Sequence, residues 1–107
     1  MISFTPDGHI IEANEIFCET MGYDLKEIKG KHHRMFVTPE DVASPEYTAF
    51  WKAMGEGSGF AQGEFKRLGK GGKVVWLNAT YTPIVIDDRV TKVVKYAQDI
   101  TEAKSKK

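Results

Sequence analysis

The chain has 107 residues, enough for one domain with one modest core. Lys plus Arg number 15 and Asp plus Glu number 15, so no net field draws the chain to nucleic acid or to an anionic membrane surface. Cys18 is the single cysteine, which excludes an internal disulfide and a cysteine metal cluster and agrees with a cytoplasmic setting; no apolar run nears the ~20 residues of a membrane span, and no signal peptide is visible.

Ile2 to Thr5 reads as a short strand, Pro6-Asp7-Gly8 as a turn and His9 to Glu12 as a second strand, together a hairpin. Asn14 is a helix N-cap, followed by Ile16, Phe17, Thr20 and Met21 at helical spacing, with Gly22 as the stop. Asp24 caps a single turn, Leu25 to Ile28, ended by Gly30; His32 to Phe36 is an irregular or one-turn segment before Thr38-Pro39. Ser44 caps, and Pro45 opens, a helix that runs to about Met54. Its apolar stripe is Tyr47, Phe50, Trp51 and Met54.

Three long strands follow: Phe60 to Leu68, Lys73 to Val85 and Arg89 to Thr101. Gly69 to Gly72 and Asp87-Asp88 join them, and Pro83 marks an edge or a bulge. On the last strand, Val90, Val94, Tyr96 and Ile100 share one face with Lys92 and Gln98, and Val93 and Ala97 share the other with Lys95 and Asp99. Neither face is cleanly solvated, which predicts a sheet covered on both sides. The order β-β-α-α-α-β-β-β predicts an α+β layout with helices on one face of an antiparallel sheet.

These pieces, in this order, resemble a PAS domain along nearly the whole chain. The resemblance rests on Phe4-Thr5-Pro6-Asp7-Gly8, Ala13-Asn14, Met21-Gly22-Tyr23, Glu27-Ile28-Lys29-Gly30-Lys31, Gly63-Glu64-Phe65-Lys66-Arg67, Val75-Trp76-Leu77 and Asp99-Ile100-Thr101. Lys70-Gly71-Gly72 departs mildly from the family's usual hairpin. The run from Gly30 to Phe36, with the Phe50-Trp51 helix, is most similar to PAS domains of bacterial methyl-accepting, aerotaxis-type chemotaxis receptors and related redox regulators. The resemblance implies a five-stranded antiparallel sheet in the order 2-1-5-4-3, with short helices closing a pocket on one face. It also implies a sensory role without catalysis, in which a bound cofactor, metabolite or partner biases a neighbouring signalling domain.

His32 and His33 are the sharpest candidate site, because one neutral imidazole nitrogen aimed into the pocket suits haem iron. The alternative is a surface or hydrogen-bonding histidine beside Lys31 and Arg34, and the long helix offers no second histidine. A flavin (FAD) reading rests on Trp51 with Phe50, on Phe60 and on Asn78; similar flavin-binding domains often carry tryptophan where Phe60 stands. Tyr96 completes the candidate cofactor-binding residues. A cofactor-free pocket is the third alternative, and Trp51 and Trp76 are equally explained as packing residues.

Glu40-Asp41 and Asp87-Asp88 sit in turns without the spacing of a calcium loop. Gly69 to Gly72 opens no helix and is no phosphate loop, and no catalytic constellation is visible. Residues 1–102 are expected to form one sensory domain of a cytoplasmic signal-transduction protein, with a charged tail at 103–107 leading to a downstream signalling element. Ligand or redox state would be relayed through Asp99, Ile100 and Thr101. The competing reading is an interaction module that acts by homodimerisation.

Overall fold

The computed structural model describes residues 1–58 and 61–105, so Phe60 lies outside the described residues. Strands β1 (Ile2–Phe4) and β2 (Ile10–Ala13) form the opening hairpin. Gly8 closes its turn at φ 100°, donating its N–H to the Thr5 carbonyl at 2.9 Å. Asn14 caps α1 (Glu15–Met21), its Oδ1 accepting the Phe17 N–H at 3.0 Å. Gly22 ends that helix in the left-handed conformation, φ 80°. One turn, α2 (Leu25–Ile28), leads to a short 3-10 turn at His33–Phe36.

The Thr38-Pro39 break opens a further short helix, α3 (Pro39–Val42), where Thr38 Oγ1 accepts the Asp41 N–H and proline takes the first position. The main helix, α4 (Pro45–Glu56), runs past Met54, because Gly55 stays helical and Gly57, at φ 73°, ends it.

Strands β3 (Ala61–Leu68), β4 (Val74–Ile86) and β5 (Arg89–Asp99) complete one antiparallel sheet in the expected order, β2-β1-β5-β4-β3. Asp87 and Asp88 both take positive φ, 52° and 62°, the two-residue turn whose twist matches the flanking strands. The helices cover the face that carries Val75, Leu77, Ala79 and Tyr81 of β4 and Val93 and Lys95 of β5, all buried. Phe17, Met21, Ile28, Phe36, Trp51 and Met54 pack onto it with Ile2 and Phe4, each such burial contributing roughly 1.5–3 kcal/mol.

Two expectations are corrected. The β4–β5 register shifts between Ile84 and Val85, pairing Ile84 with Lys92 and Val85 with Val90. The extra residue turns Val90 to the helix side, against Gly57 and away from the face of Val94 and Tyr96. The last strand also stops at Asp99, and the chain enters α5 (Thr101–Ser105). α5 packs on the far face of the sheet: the Lys104 ammonium lies 4.9 Å from the Trp76 ring centroid and 2.7 Å from Glu64 Oε1. Tyr96, on that same far face, remains 64% exposed, so the face carries α5 at one end and open apolar surface beyond it.

Gly8 joins the hairpin to the site. A Cβ there would lie 2.7 Å from His32 Nε2 and 3.0 Å from Trp51 Cε2. Gly8→Ala is expected to destabilise the fold by about 1–3 kcal/mol, from its positive φ and this contact. Urea unfolding measures the loss, and an unchanged midpoint would mean that the turn relaxes freely.

Candidate functional site

The opening turn fixes where the histidines go. His9 and His32 form an isolated antiparallel bridge, and the His33 N–H donates to the Gly8 carbonyl at 2.8 Å. The His32 side chain caps the following 3-10 turn, its Nδ1 accepting the Arg34 N–H at 3.0 Å, and its Nε2 lies 2.8 Å from the Asp7 carbonyl oxygen. This anchoring turns His33 inward, where it is 0% exposed.

His33 sits between two tyrosines. Its Nδ1 is 2.8 Å from the Tyr47 hydroxyl of α4 and its Nε2 is 2.9 Å from the Tyr81 hydroxyl of β4. The rings of Phe4 and Trp51 meet it edge-on, with centroids 5.4 and 5.3 Å away. From β3, Arg67 Nη2 donates to the Tyr81 hydroxyl at 3.2 Å. The Tyr81 oxygen thus accepts from Arg67, and its own proton is free to go to His33 Nε2. A neutral imidazole then donates from Nδ1 to Tyr47. That assignment yields a directed chain, Arg67 to Tyr81 to His33 to Tyr47, spanning β3, β4, the 3-10 turn and α4.

Lys95 stands directly opposite Tyr81 on β5, fully buried, with its ammonium 4.9 Å from the Tyr81 ring centroid and 5.6 Å from that of Phe17. Its Nζ and Arg67 Nε have no hydrogen-bond partner. The ion pairs His9–Asp7, Lys70–Glu27 and Lys104–Glu64 involve neither buried cation. Charge and burial together set the protonation states. Burial, then the positive charges of Lys95 and Arg67, push the His33 imidazole well below its ordinary value. Burial lowers Lys95 and raises Tyr47 to about 12. Burial raises the Tyr81 hydroxyl too, but Lys95 and Arg67 outweigh it and the net direction is down.

Of the sequence-derived candidates, His33 and Trp51 come together in this cluster, and His32 stands at its rim. Asn78 and Tyr96 are exposed on the opposite face of the sheet and do not reach it. All four ring nitrogens of His32 and His33 already have protein partners, so haem ligation would require one of them to break. Asn78, one of the residues on which the flavin reading rests, is exposed on the face away from the helices. The histidines as they are arranged do not fit haem, and Asn78 is not placed to meet a ligand on the helix side. Sequence reasoning missed the roles of Tyr47, Arg67, Tyr81 and Lys95. The available signal was alternation: Tyr81 shares the face of Val75, Leu77 and Ala79, and Lys95 that of Val93.

The exit of the sheet is also hydrogen-bonded. The Trp76 N–H donates to Thr101 Oγ1 at 2.9 Å, Thr101 Oγ1 donates to Asp99 Oδ1 at 2.6 Å, and the Thr101 N–H donates to the same oxygen at 2.9 Å. These bonds hold the Asp99 carboxyl below its usual range. The Ile100 N–H donates to the Trp76 carbonyl at 2.8 Å. Asp99, Ile100 and Thr101 thus pin the start of α5 to β4.

The PAS fold family matches residues 10–97. This chain is a PAS domain. It is 37% identical over 103 residues to the biofilm dispersion protein BdlA of Pseudomonas aeruginosa, covering 95% of this chain and 24% of that protein. Over 84 residues it is 28% identical to the aerotaxis receptor of Escherichia coli, covering 78% of this chain and 16% of that receptor. The PAS domain therefore spans a quarter or less of either relative. Among solved structures, a PAS domain from Colwellia psychrerythraea superposes with a TM-score of 0.80 at 24% identity, covering 94% of this chain and 85% of that one. A light-oxygen-voltage domain studied with a flavin analogue gives 0.77 at 19%, covering 97% and 78%. At these identities the two structures show the shared fold alone. No helix among the described residues is long and apolar enough to cross a membrane.

The buried network sets two expectations. Tyr81→Phe leaves His33 Nε2 and Arg67 Nη2 short of a partner and is expected to cost about 1–3 kcal/mol for each unsatisfied group; an unchanged urea midpoint would show that the hydroxyl holds nothing together. His33 protonates less readily folded than unfolded. Its stabilisation is present above the ordinary histidine value of ~6.5 and is lost as pH falls below it, by about 1.4 kcal/mol per pH unit for one proton. Unfolding between pH 7.5 and 5.5 should therefore be less pH-dependent in His33→Gln than in the wild type, with His32 and the Met1 amino group, both lowered in the fold, contributing to the remaining slope; equal slopes would contradict a buried neutral His33.

Proposed function

We propose that this PAS domain is the cytoplasmic sensory module of a bacterial chemotaxis-type signalling protein, and that it relays occupancy of its helix-side cleft to a downstream domain. The observation that carries this reading is the continuous path from α4, through Tyr47, His33 and Tyr81, to the paired strands β4 and β5 that end at the Asp99–Thr101 clasp. Its likeness to an aerotaxis receptor supports the chemotaxis setting. Membership of the PAS family supports a signalling role.

The sensed species is a small colourless molecule that leaves the hydrogen bonds of His32 and His33 in place. Binding would shift the balance of two states separated by about a few kcal/mol. β5 and the clasp carry the shift to α5, which lies on the opposite face of the sheet. A second reading, an interaction module acting as a homodimer, is favoured by the exposed Tyr96, Ile86 and Val74; dimerisation through that face is compatible with relay and would place α5 beside its counterpart.

Two measurements test the reading. Freshly purified protein should be colourless; a Soret band would mean haem, and bands near about 370 and 450 nm would mean flavin, and either would overturn a colourless ligand. Asp99→Ala in the full-length parent protein should abolish the swimming response while leaving ligand affinity within about twofold. Parallel loss of affinity and response would remove the relay role of Asp99.

A further inference from the structure

A cleft of about 310 Å³ opens between α3, α4 and β3. Val37, Tyr47, Phe50 and Phe65 form its apolar walls, and Arg67 reaches it from β3. This volume lies at the small end of the ~300–1,000 Å³ typical of small-molecule sites. Arg67 is 9% exposed and stacks its guanidinium 4.8 Å from the Phe65 ring centroid. Of its five N–H groups, one donates to the Lys66 carbonyl at 3.1 Å and one to the Tyr81 hydroxyl at 3.2 Å. Its Nε–H is buried and unpartnered.

A guanidinium stays charged in a protein interior. Burying one without a counter-charge costs several kcal/mol, and the ion pairs His9–Asp7, Lys70–Glu27 and Lys104–Glu64 do not supply that charge. Lys95, on the far side of Tyr81, adds a second cationic group to the same network, though burial favours its neutral form. Asp41 and Glu46 line the cleft from α3 and α4, and both are exposed. In water they repel a bound monoanion weakly, but they penalise a ligand carrying a second negative charge at its outer end.

We propose that this cleft binds a small monocarboxylate with an apolar body. Its carboxylate takes free N–H groups of Arg67, and its body lies among Val37, Phe50 and Phe65. The proposal deepens the sensory reading, on which it rests, by naming the chemistry of the input. It also supplies a trigger: a carboxylate drawing on the guanidinium competes with the Tyr81 hydroxyl for Arg67 and so perturbs the path to β5.

The test is calorimetry and thermal melting of the 107-residue chain with phenylacetate, hexanoate, phenylacetamide and succinate at pH 7.5. Phenylacetate or hexanoate should bind and raise the melting temperature. Phenylacetamide, without the charge, and succinate, with a second one, should bind at least about tenfold more weakly. Arg67→Met should abolish binding, and Arg67→Lys should retain part of it. Should Arg67→Met fail to fold, the exposed pair Asp41→Asn and Glu46→Gln keeps the test open, because that double variant should tighten succinate specifically. The proposal is overturned if neither acid binds at about 10 mM, well above the affinity expected of a built site, or if the amide binds as well as the acid. Hydrogen exchange separates the two readings. Phenylacetate binding that leaves α5 protection unchanged keeps the site and removes the relay. Absence of binding with an intact Asp99→Ala phenotype keeps the relay and removes the site.

Discussion

The Tyr81 hydroxyl is the one polar group on which the interior of this domain depends. It lies 2.9 Å from His33 Nε2 and 3.2 Å from Arg67 Nη2, deep beneath α4. Without it, His33 Nε2 and Arg67 Nη2 would each lose a partner in a low-dielectric core, where an unsatisfied polar group costs more than its bond contributes. The tyrosine therefore dictates the rest: His33 must be neutral, the 3-10 turn must keep its anchor on Gly8, and α4 must present Tyr47 at the other ring nitrogen.

The same residue couples the two faces of the sheet. Tyr81 points to the helices, but its backbone is paired on one side with Ala61 and on the other with Lys95. Any change in the polar chain is felt by two strands at once, because a packed interior transmits displacement instead of absorbing it. β5 then leaves the sheet at Asp99, and the clasp of Asp99, Thr101 and Trp76 takes the chain across to the far face. The His33 cluster and α5 thus sit on opposite sides of a single layer of strands, joined by covalent chain and cross-strand hydrogen bonds. That geometry suits a PAS domain whose relatives are parts of much longer proteins.

The fold was legible because its signals are local. Asn14, Gly22, Ser44-Pro45 and Asp87-Asp88 each satisfy a backbone requirement of their own, and each does what its chemistry demands. The helix at Pro39–Val42 escaped notice because a four-residue element leaves no periodicity to read. The candidate site was half legible. His33 and Trp51 stand out as residue types, but the sequence leaves the facing of β4 and β5 open, and Asn78 and Tyr96 lie on the face away from the helices. Alternation alone has two solutions, and the buried Lys95 and the register shift beside Val90 disguised which one held. Arg67 and Lys95 would ordinarily be read as solvated charges. Only the packing around them turns two surface-type residues into an internal cationic site.

The most direct measurement of this coupling is amide hydrogen exchange on the Tyr81→Phe variant, read at Ile100, Thr101 and Lys104. These amides are bonded to Trp76, Asp99 and Ile100 at the exit of the sheet, on the face away from the lost hydroxyl. If the buried chain governs the exit, their protection falls along with that of the residues around His33. Unchanged protection at these three amides, with loss confined to the His33 turn and α4, would contradict the coupling.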